Sequence, residues 1–407
     1  MRVAIFCRSL ATHWNRGNAH FLRGISTELI SRGHELAVYG TRDGWSPSSL
    51  RRTQDATPNR GLAATFPILA GRESTLGELD LERGLDGADL VLVHESTDPE
   101  LVRRIGRHRE RAGGYRLLFH DTHHRAVTAP AEMRSFDLSG FDGVLASGDV
   151  IRELYLDRGW AARAWTWHEA ADARVFSPRP GTVRSDDLVW VGNWGTGERN
   201  QELCQMLLDP AQRLRLDGVV HGEHYPWRGR LAIRRSGLRY GGGLASHLAP
   251  AVFARHRFTV DLPSRLHVRA LPGVPTIRVF EALACGIPLI CSPWDDAEGL
   301  FTPGRDYLVA RDPREMESAM RTVVRDRATA AALAEHGLAT ILARHTCAHR
   351  IDELLAIDAS LRGVTRIQRQ APLPESASAS RSVAAELAAA EGRDAAFVRT
   401  PLQGPTR

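Results

Sequence analysis

The chain has 407 residues, 43% hydrophobic and 25% charged, with a formal net charge of +5. Ordinary globular composition at this length implies two domains with ample cores, and so small a net charge argues against a dedicated nucleic-acid binder. All 53 cationic residues are arginine, so Schiff-base lysine and pyridoxal-phosphate chemistry are excluded, and phosphate must be met by arginine, protonated histidine or backbone amides.

No apolar run reaches the length of a membrane span. The opening MRVAIFCRSL reads as a first strand and not as a signal peptide. Five cysteines (Cys7, Cys204, Cys285, Cys291 and Cys347) are odd in number and lack CxxC spacing. Reduced thiols, a cytoplasmic protein and no zinc site are expected.

VAIFC at 3–7 predicts a strand, and 18–32 a helix with Phe21, Leu22, Ile25, Leu29 and Ile30 on one face. Gly33 ends that helix and HELAVYG at 34–40 is the next strand, which is βαβ grammar. Gly17 and Asn18 form a turn before the helix that can bind an anion or a sugar hydroxyl through backbone N–H; a plain tight turn is the alternative. A short strand is expected at AATFPIL (63–69). ADLVLVH (88–94), YRLLFHD (115–121) and FDGVLASG (141–148) are strands, with helices at about 99–111 and 149–159. The alternation predicts a doubly wound parallel sheet, whose ligands sit beyond the carboxyl ends of its strands. His94, Glu95, His120, Asp121, His123 and His124 then share one edge.

The run from His120 through Asp121 and Thr122 to His123 and His124 offers a general base, with Asp121 or a histidine taking a proton. A metal site and a local hydrogen-bond network are the competing readings. His168 and Glu169 lack a second histidine four residues on, so they are not a zincin motif.

Pro178, Pro180 and Gly181 form a credible interdomain linker. DLVWVGNWGTGERN (187–200) is a strand, a glycine loop that lets backbone approach a ligand near Asn193, and a helix start with Arg199. Between Trp227 and Tyr240 stand Arg228, Arg230, Arg234, Arg235 and Arg239 without an acid. This is a solvated basic face, a patch for an anionic membrane or lipid-linked acceptor, or a nucleic-acid contact. HRFTVDL (256–262) is a strand. Pro275 stands where a helix can begin, with Thr276 able to cap free amides, and Gly286 ends the segment. IPLICSP (287–293) is a buried strand. A helix start at the end of a strand suits phosphate, and Glu281 one turn in can accept from sugar hydroxyls. Helices are expected at about 313–326, 328–343 and 346–358, and 363–407 reads as a disordered tail.

Pro263-Ser264 followed by EALACGIPLI at 281–290 resembles the C-terminal half of group 1 glycosyltransferases of the GT-B fold, and PTIRVFEALACG with SPWDD is most similar to their CgeB-like (spore maturation) branch. The segment with Asp172, Phe176 and Pro178 resembles the end of a GT-B first domain. The resemblance implies an α/β fold of two Rossmann-like domains facing a cleft: an acceptor domain at 1–178, a nucleotide-sugar domain at 179–345, and a helix at 346–360 crossing back. It implies transfer of a sugar from a nucleotide-diphosphate sugar, without metal or other cofactor, to a glycan, lipid-linked or small-molecule acceptor. By resemblance, Thr276, Ile277 and neighbouring amides meet the diphosphate, Arg278 or Arg199 its charge, Glu281 the ribose, and Gly242 the base. Gly17, Asn18 and His124 would meet the acceptor, with Asp121, His120 and His123 catalytic. Arg278 has an alternative as partner of Asp295 or Asp296. The group 1 pattern carries a first glutamate eight residues before the second, and here that position is Gly273. A non-catalytic glycan- or partner-binding protein and a nucleotide-sugar 2-epimerase therefore stay open. Among partners, a nucleotide sugar and peripheral contact with the inner membrane face through 228–239 are expected, and nucleic acid is not.

Overall fold

The computed structural model describes residues 1–8, 10, 17–40, 64–69, 73–75, 80–195 and 197–363. The expected tail and the loop 11–16 lie outside the described residues.

The apolar runs form two all-parallel sheets. The first holds β1 (Arg2–Phe6), β2 (Glu35–Gly40), β3 (Glu73–Thr75), β4 (Leu90–His94), β5 (Arg116–Asp121), β6 (Gly143–Ala146) and β7 (Ala164–Thr166) in the order β3-β2-β1-β4-β5-β6-β7. The second holds β8 (Asp186–Val191), β9 (Gly218–His221), β10 (Arg239–Gly242), β11 (His256–Asp261), β12 (Leu289–Cys291) and β13 (Leu308–Val309) in the order β10-β9-β8-β11-β12-β13. Both orders reverse beside their first strand, at β1/β4 and β8/β11, which opens a crevice at the carboxyl ends there.

Alternation along each strand fills a core on both faces. Val3 and Ile5 pack with Leu90, Leu92 and Leu118, while Ala4 and Phe6 pack with Val91, Val93 and Phe119 on the opposite face. In the second sheet Leu188, Phe258 and Ile290 face one side, and Val189, Leu289 and Cys291 the other.

The principal helices are α1 (Gly17–Ser31), α2 (Pro99–Ala112), α3 (Asp149–Asp157), α4 (Glu198–Leu203), α5 (Trp227–Arg235), α6 (Ile277–Ala284), α7 (Pro313–Arg325), α8 (Arg327–Arg344) and α9 (Cys347–Gly363). Asp98, Asp312 and Asp326 cap α2, α7 and α8, each accepting from amides of the first turn. The last helix, α9, crosses back to the first sheet. Its Ile351, Leu354 and Ile357 join the core around Val3 and Phe21, and Trp167 Nε1 donates to the Arg350 carbonyl at 2.8 Å.

The expected strand at 63–69 is not one: Pro67–Leu69 is a 3₁₀ turn with Phe66 buried beside it. Proline has no N–H to give to a ladder. The sheet edge is supplied by the polar β3 instead, paired with β2 through Val38 opposite Glu73.

Candidate functional site

The helix α6 starts just beyond the carboxyl end of β11. Its N-cap is Thr276, one residue after Pro275. The expected capping by this side chain does not occur: Thr276 Oγ1 donates to Asp261 Oδ2 at 3.0 Å, leaving the first amides of α6 without a side-chain cap. Asp261 is buried at the strand end, where desolvation pushes its pKa up to about 6, opposed first by the Thr276 hydrogen bond. Ile277 lies in the core behind the helix start. Gly286 ends the helix at φ +61°, its N–H donating to the Leu283 carbonyl at 3.0 Å.

Glu281 is fully buried and sits between the two domains. Its Oε1 lies 3.0 Å from Nδ1 of His20 on α1, and Arg278 donates to its Oε2. Arg278 therefore pairs with Glu281 and not with Asp295 or Asp296, because an i,i+3 spacing brings it over the carboxylate. Burial pushes the Glu281 pKa up, but the Arg278 charge and the His20 bond outweigh it and keep the group ionised. His20 Nε2 accepts the Asp172 N–H at 2.9 Å, so Nδ1 carries the proton and donates to Glu281. The ring stacks on Phe176 at 4.0 Å. Glu169 faces the same group; burial first, then the Glu281 charge, push its pKa up to about 8 against the pull of Arg278.

Arg199 opens α4 beside this helix start. It donates to the carbonyls of Leu262 and Pro263 and pairs with Glu202 at 2.9 Å. Asn193 Oδ1 accepts the Glu223 N–H at 3.1 Å on the loop after β8. Gly242 has φ +71° at the end of β10, where the register shifts.

The first-domain cluster lies at the ends of β4 and β5, where His94 is registered against His120. Asp121 is buried with both oxygens engaged, Oδ1 by the His123 N–H at 3.0 Å and Oδ2 by the Tyr155 hydroxyl at 2.9 Å. Burial pushes its pKa up to about 6, opposed by those two bonds. His120 is buried against Trp167 and Phe21, and desolvation holds it neutral. His94 is held down at about 3 by burial, then by Arg125 and His123. Glu95 pairs with Arg125. The His123 and His124 rings lie 4.0 Å apart, tilted by 41°, and His124 Nδ1 meets Thr128 Oγ1 at 2.9 Å. Gly17 and Asn18 form the first turn of α1 itself, and do not precede it as a separate turn. Among the described residues, no group of three or more His, Cys, Asp or Glu is placed to hold a metal ion.

The structure thus brings Thr276, Ile277, Arg278, Glu281 and Arg199 to one end of β11, and His120, Asp121, His123 and His124 to the end of β5. Sequence reasoning missed His20, Glu169, Asp261 and Tyr155. A histidine inside the apolar face of α1, and an acid closing the apolar run of β11, were the available signals.

Residues 199–356 match a family described as glycosyl transferase-like. No curated protein matches the sequence. The fold is similar to that of sucrose-phosphate synthase from Thermosynechococcus elongatus, with TM-score 0.59 and 13% identity over 89% of this chain and 99% of that one. It is also similar to Anabaena HepE in complex with UDP and glucose, with TM-score 0.60 and 12% identity over 88% and 100%. An α-glucosyltransferase in complex with UDP and DNA gives TM-score 0.62 and 13% identity over 88% and 99%. The architecture is therefore GT-B: two Rossmann-like domains facing a cleft, the second of them glycosyl transferase-like.

Proposed function

We propose that this chain transfers a glycosyl group from a nucleotide-diphosphate sugar to an acceptor hydroxyl, as a CgeB-like member of the group 1 type. The observation that carries the reading is the start of α6, with amides free of a side-chain cap and the Arg278–Glu281–His20 cluster one turn in, inside the glycosyl transferase-like segment. A helix N-terminus and two arginines suit a diphosphate. In this reading Thr276 and Ile277 meet the diphosphate through backbone, and Arg278 or Arg199 its charge. Glu281 keeps one lone pair on each oxygen for ribose hydroxyls, and Gly242 lies against the base. Two of the similar structures above, HepE and the α-glucosyltransferase, are described in complex with UDP, which supports such a donor.

The acceptor side is the first domain: Gly17, Asn18 and His124 for binding, with Asp121, His120 and His123 around the reacting hydroxyl. Leaving-group charge is met by arginine and the helix dipole without a metal ion. The acceptor is a glycan, a lipid-linked molecule or a small molecule. The DNA bound by the α-glucosyltransferase belongs to that protein. The exposed arginines of α5 favour an anionic lipid surface near the acceptor.

Calorimetric titration with UDP, GDP and their sugars, followed by an assay for nucleoside diphosphate release, tests the reading. Saturable binding and diphosphate release, enhanced by an acceptor, are expected. Binding without release would mark a glycan- or partner-binding protein, and an epimerised sugar a 2-epimerase.

A further inference from the structure

Gly273 has φ +83°, a backbone conformation that disfavours any side chain. A Cβ placed there would lie 2.7 Å from Glu298 Oε1 and 2.9 Å from its Cγ. The space that a side chain at 273 would enter is thus filled by Glu298, which arrives from the loop after β12. That loop is fixed in place: the Gly273 N–H donates to the Asp295 carbonyl at 2.7 Å, and Asp296 accepts from the amides of Leu300 and Phe301, both at 2.9 Å.

The Glu298 carboxylate spans the cleft. Its Oε1 accepts the N–H of Asp149, the first residue of α3, at 2.7 Å. Its Oε2 lies 2.7 Å from His168 Nε2. The other ring nitrogen of His168, Nδ1, is buried without a protein partner, as is Oε1 of the adjacent Glu169; His168 itself is only 7% exposed. With Nε2 engaged by Glu298, Nδ1 is left to meet a ligand. A carboxylate has about four acceptor sites, and only two of those on Glu298 have partners. The open acceptor sites of Glu298 make the complementary ligand one that brings O–H groups.

We infer that Glu298, together with His168, forms a subsite for the hydroxyls of the donor sugar, its carboxylate standing where Gly273 leaves room. The inference rests on the function proposed above and assigns a residue outside the 273–281 spacing. It also accounts for the glycine: a side chain at 273 would expel the carboxylate.

The test is titration of the full-length chain, as wild type, Glu298→Gln and Gly273→Ala, with UDP, GDP, UDP-glucose, UDP-galactose, UDP-N-acetylglucosamine and GDP-mannose. For the sugar nucleotide that wild type binds best, Glu298→Gln should lose about ten- to a hundredfold in affinity, the range for a charge-assisted hydrogen bond. Affinity for the matching diphosphate should stay within about twofold. Gly273→Ala should reproduce this selective loss even if its strained backbone lowers stability, and the ratio of the two affinities is the quantity read. An equal fall for diphosphate and sugar nucleotide would make Glu298 an interdomain clasp only and overturn the inference. So would unchanged binding in Glu298→Gln, or a wild type that binds the sugar nucleotide no better than the diphosphate. A wild type that binds neither removes the proposed function, and this inference with it.

Discussion

His20 and Glu281 meet across the domain boundary, Nδ1 to Oε1 at 3.0 Å, with side chains 1% and 0% exposed. One carboxylate thereby joins the first helix of the chain to α6, and Arg278 neutralises its other oxygen.

Replacing Glu281 by Gln keeps the shape and removes the charge. Arg278 then has no counter-ion on its own helix. A charge-assisted hydrogen bond contributes about 1.5–3 kcal/mol, so Glu281→Gln should lose about that much stability in denaturant unfolding. UDP affinity should fall about tenfold or more by calorimetry. The sign with pH follows from the lowered pKa. Stability from this carboxylate is present above the ordinary glutamate range and is lost as pH falls through the folded value. The Gln variant should therefore approach the parent in stability at low pH. Undiminished stability and UDP binding would reduce Glu281 to a bystander.

Much of this fold was legible. VAIFC, ADLVLVH and IPLIC are apolar runs too short for helices and bounded by turn residues, and each became a buried strand. Gly286 marked the end of α6 because only a left-handed residue could close it there. What stayed hidden was non-local. His20 and Glu281 are 261 residues apart, and no local spacing encodes such a pair. Tyr155 bonding to Asp121 is hidden for the same reason. Thr276 had the right type and place for a cap, but its hydroxyl is turned toward Asp261 across the loop, to which it donates a hydrogen bond.

Asp121 gives a test of the acid–base proposal. The Tyr155 hydroxyl bond lowers the Asp121 pKa, although burial raises it overall to about 6. Removing that bond in Tyr155→Phe should raise it further. If Asp121 accepts the acceptor proton, the acidic limb of the pH–rate profile moves to higher pH in Tyr155→Phe. Asp121→Asn should lose on the order of a hundredfold or more in kcat. A limb that stays in place would assign Asp121 to orientation of the His123 loop.

Glu169 should make the protein less stable at alkaline pH. Its folded pKa of about 8 is raised above the ordinary glutamate value. Between those two values the folded chain keeps a proton that the unfolded chain has lost. The group's contribution to stability thus falls as pH climbs through that window and is flat above it. Glu169→Gln removes the penalty, so it should be more stable than the parent at pH above about 8, by on the order of a kcal/mol or more. The difference should vanish near about pH 4. Parallel stability curves for the two proteins would show that Glu169 is not held protonated.

Turnover should survive EDTA. Arg199, Arg278 and the amides of α6 are the groups proposed to meet leaving-group charge, and none depends on a metal ion. The rate of diphosphate release with and without chelator is the measurement. Loss of activity restored by one divalent ion would transfer that role to a metal and reopen the function of the 120–124 cluster.

The exposed face of α5 should bind anionic lipid. Trp227 is 68% exposed, with the Arg228 guanidinium 5.4 Å from its ring centre. Arg230 donates to the Tyr225 carbonyl at 3.1 Å and lies over Tyr240, and Arg239 pairs with Asp186. Arg234 and Arg235 end the helix, are exposed, and have no acid on α5 to pair with. An arginine near an anionic surface contributes about 1 kcal/mol. Replacing both by alanine should therefore weaken binding to phosphatidylglycerol-containing vesicles by about 2 kcal/mol, roughly thirtyfold. Salt should weaken the wild type in the same direction, since the attraction is screened within a Debye length. Cosedimentation with anionic and neutral vesicles, at low and high salt, is the measurement. Equal partitioning to both vesicle types, or no effect of the double substitution, would leave α5 as a solvated basic face and remove the reason for placing the acceptor at a membrane.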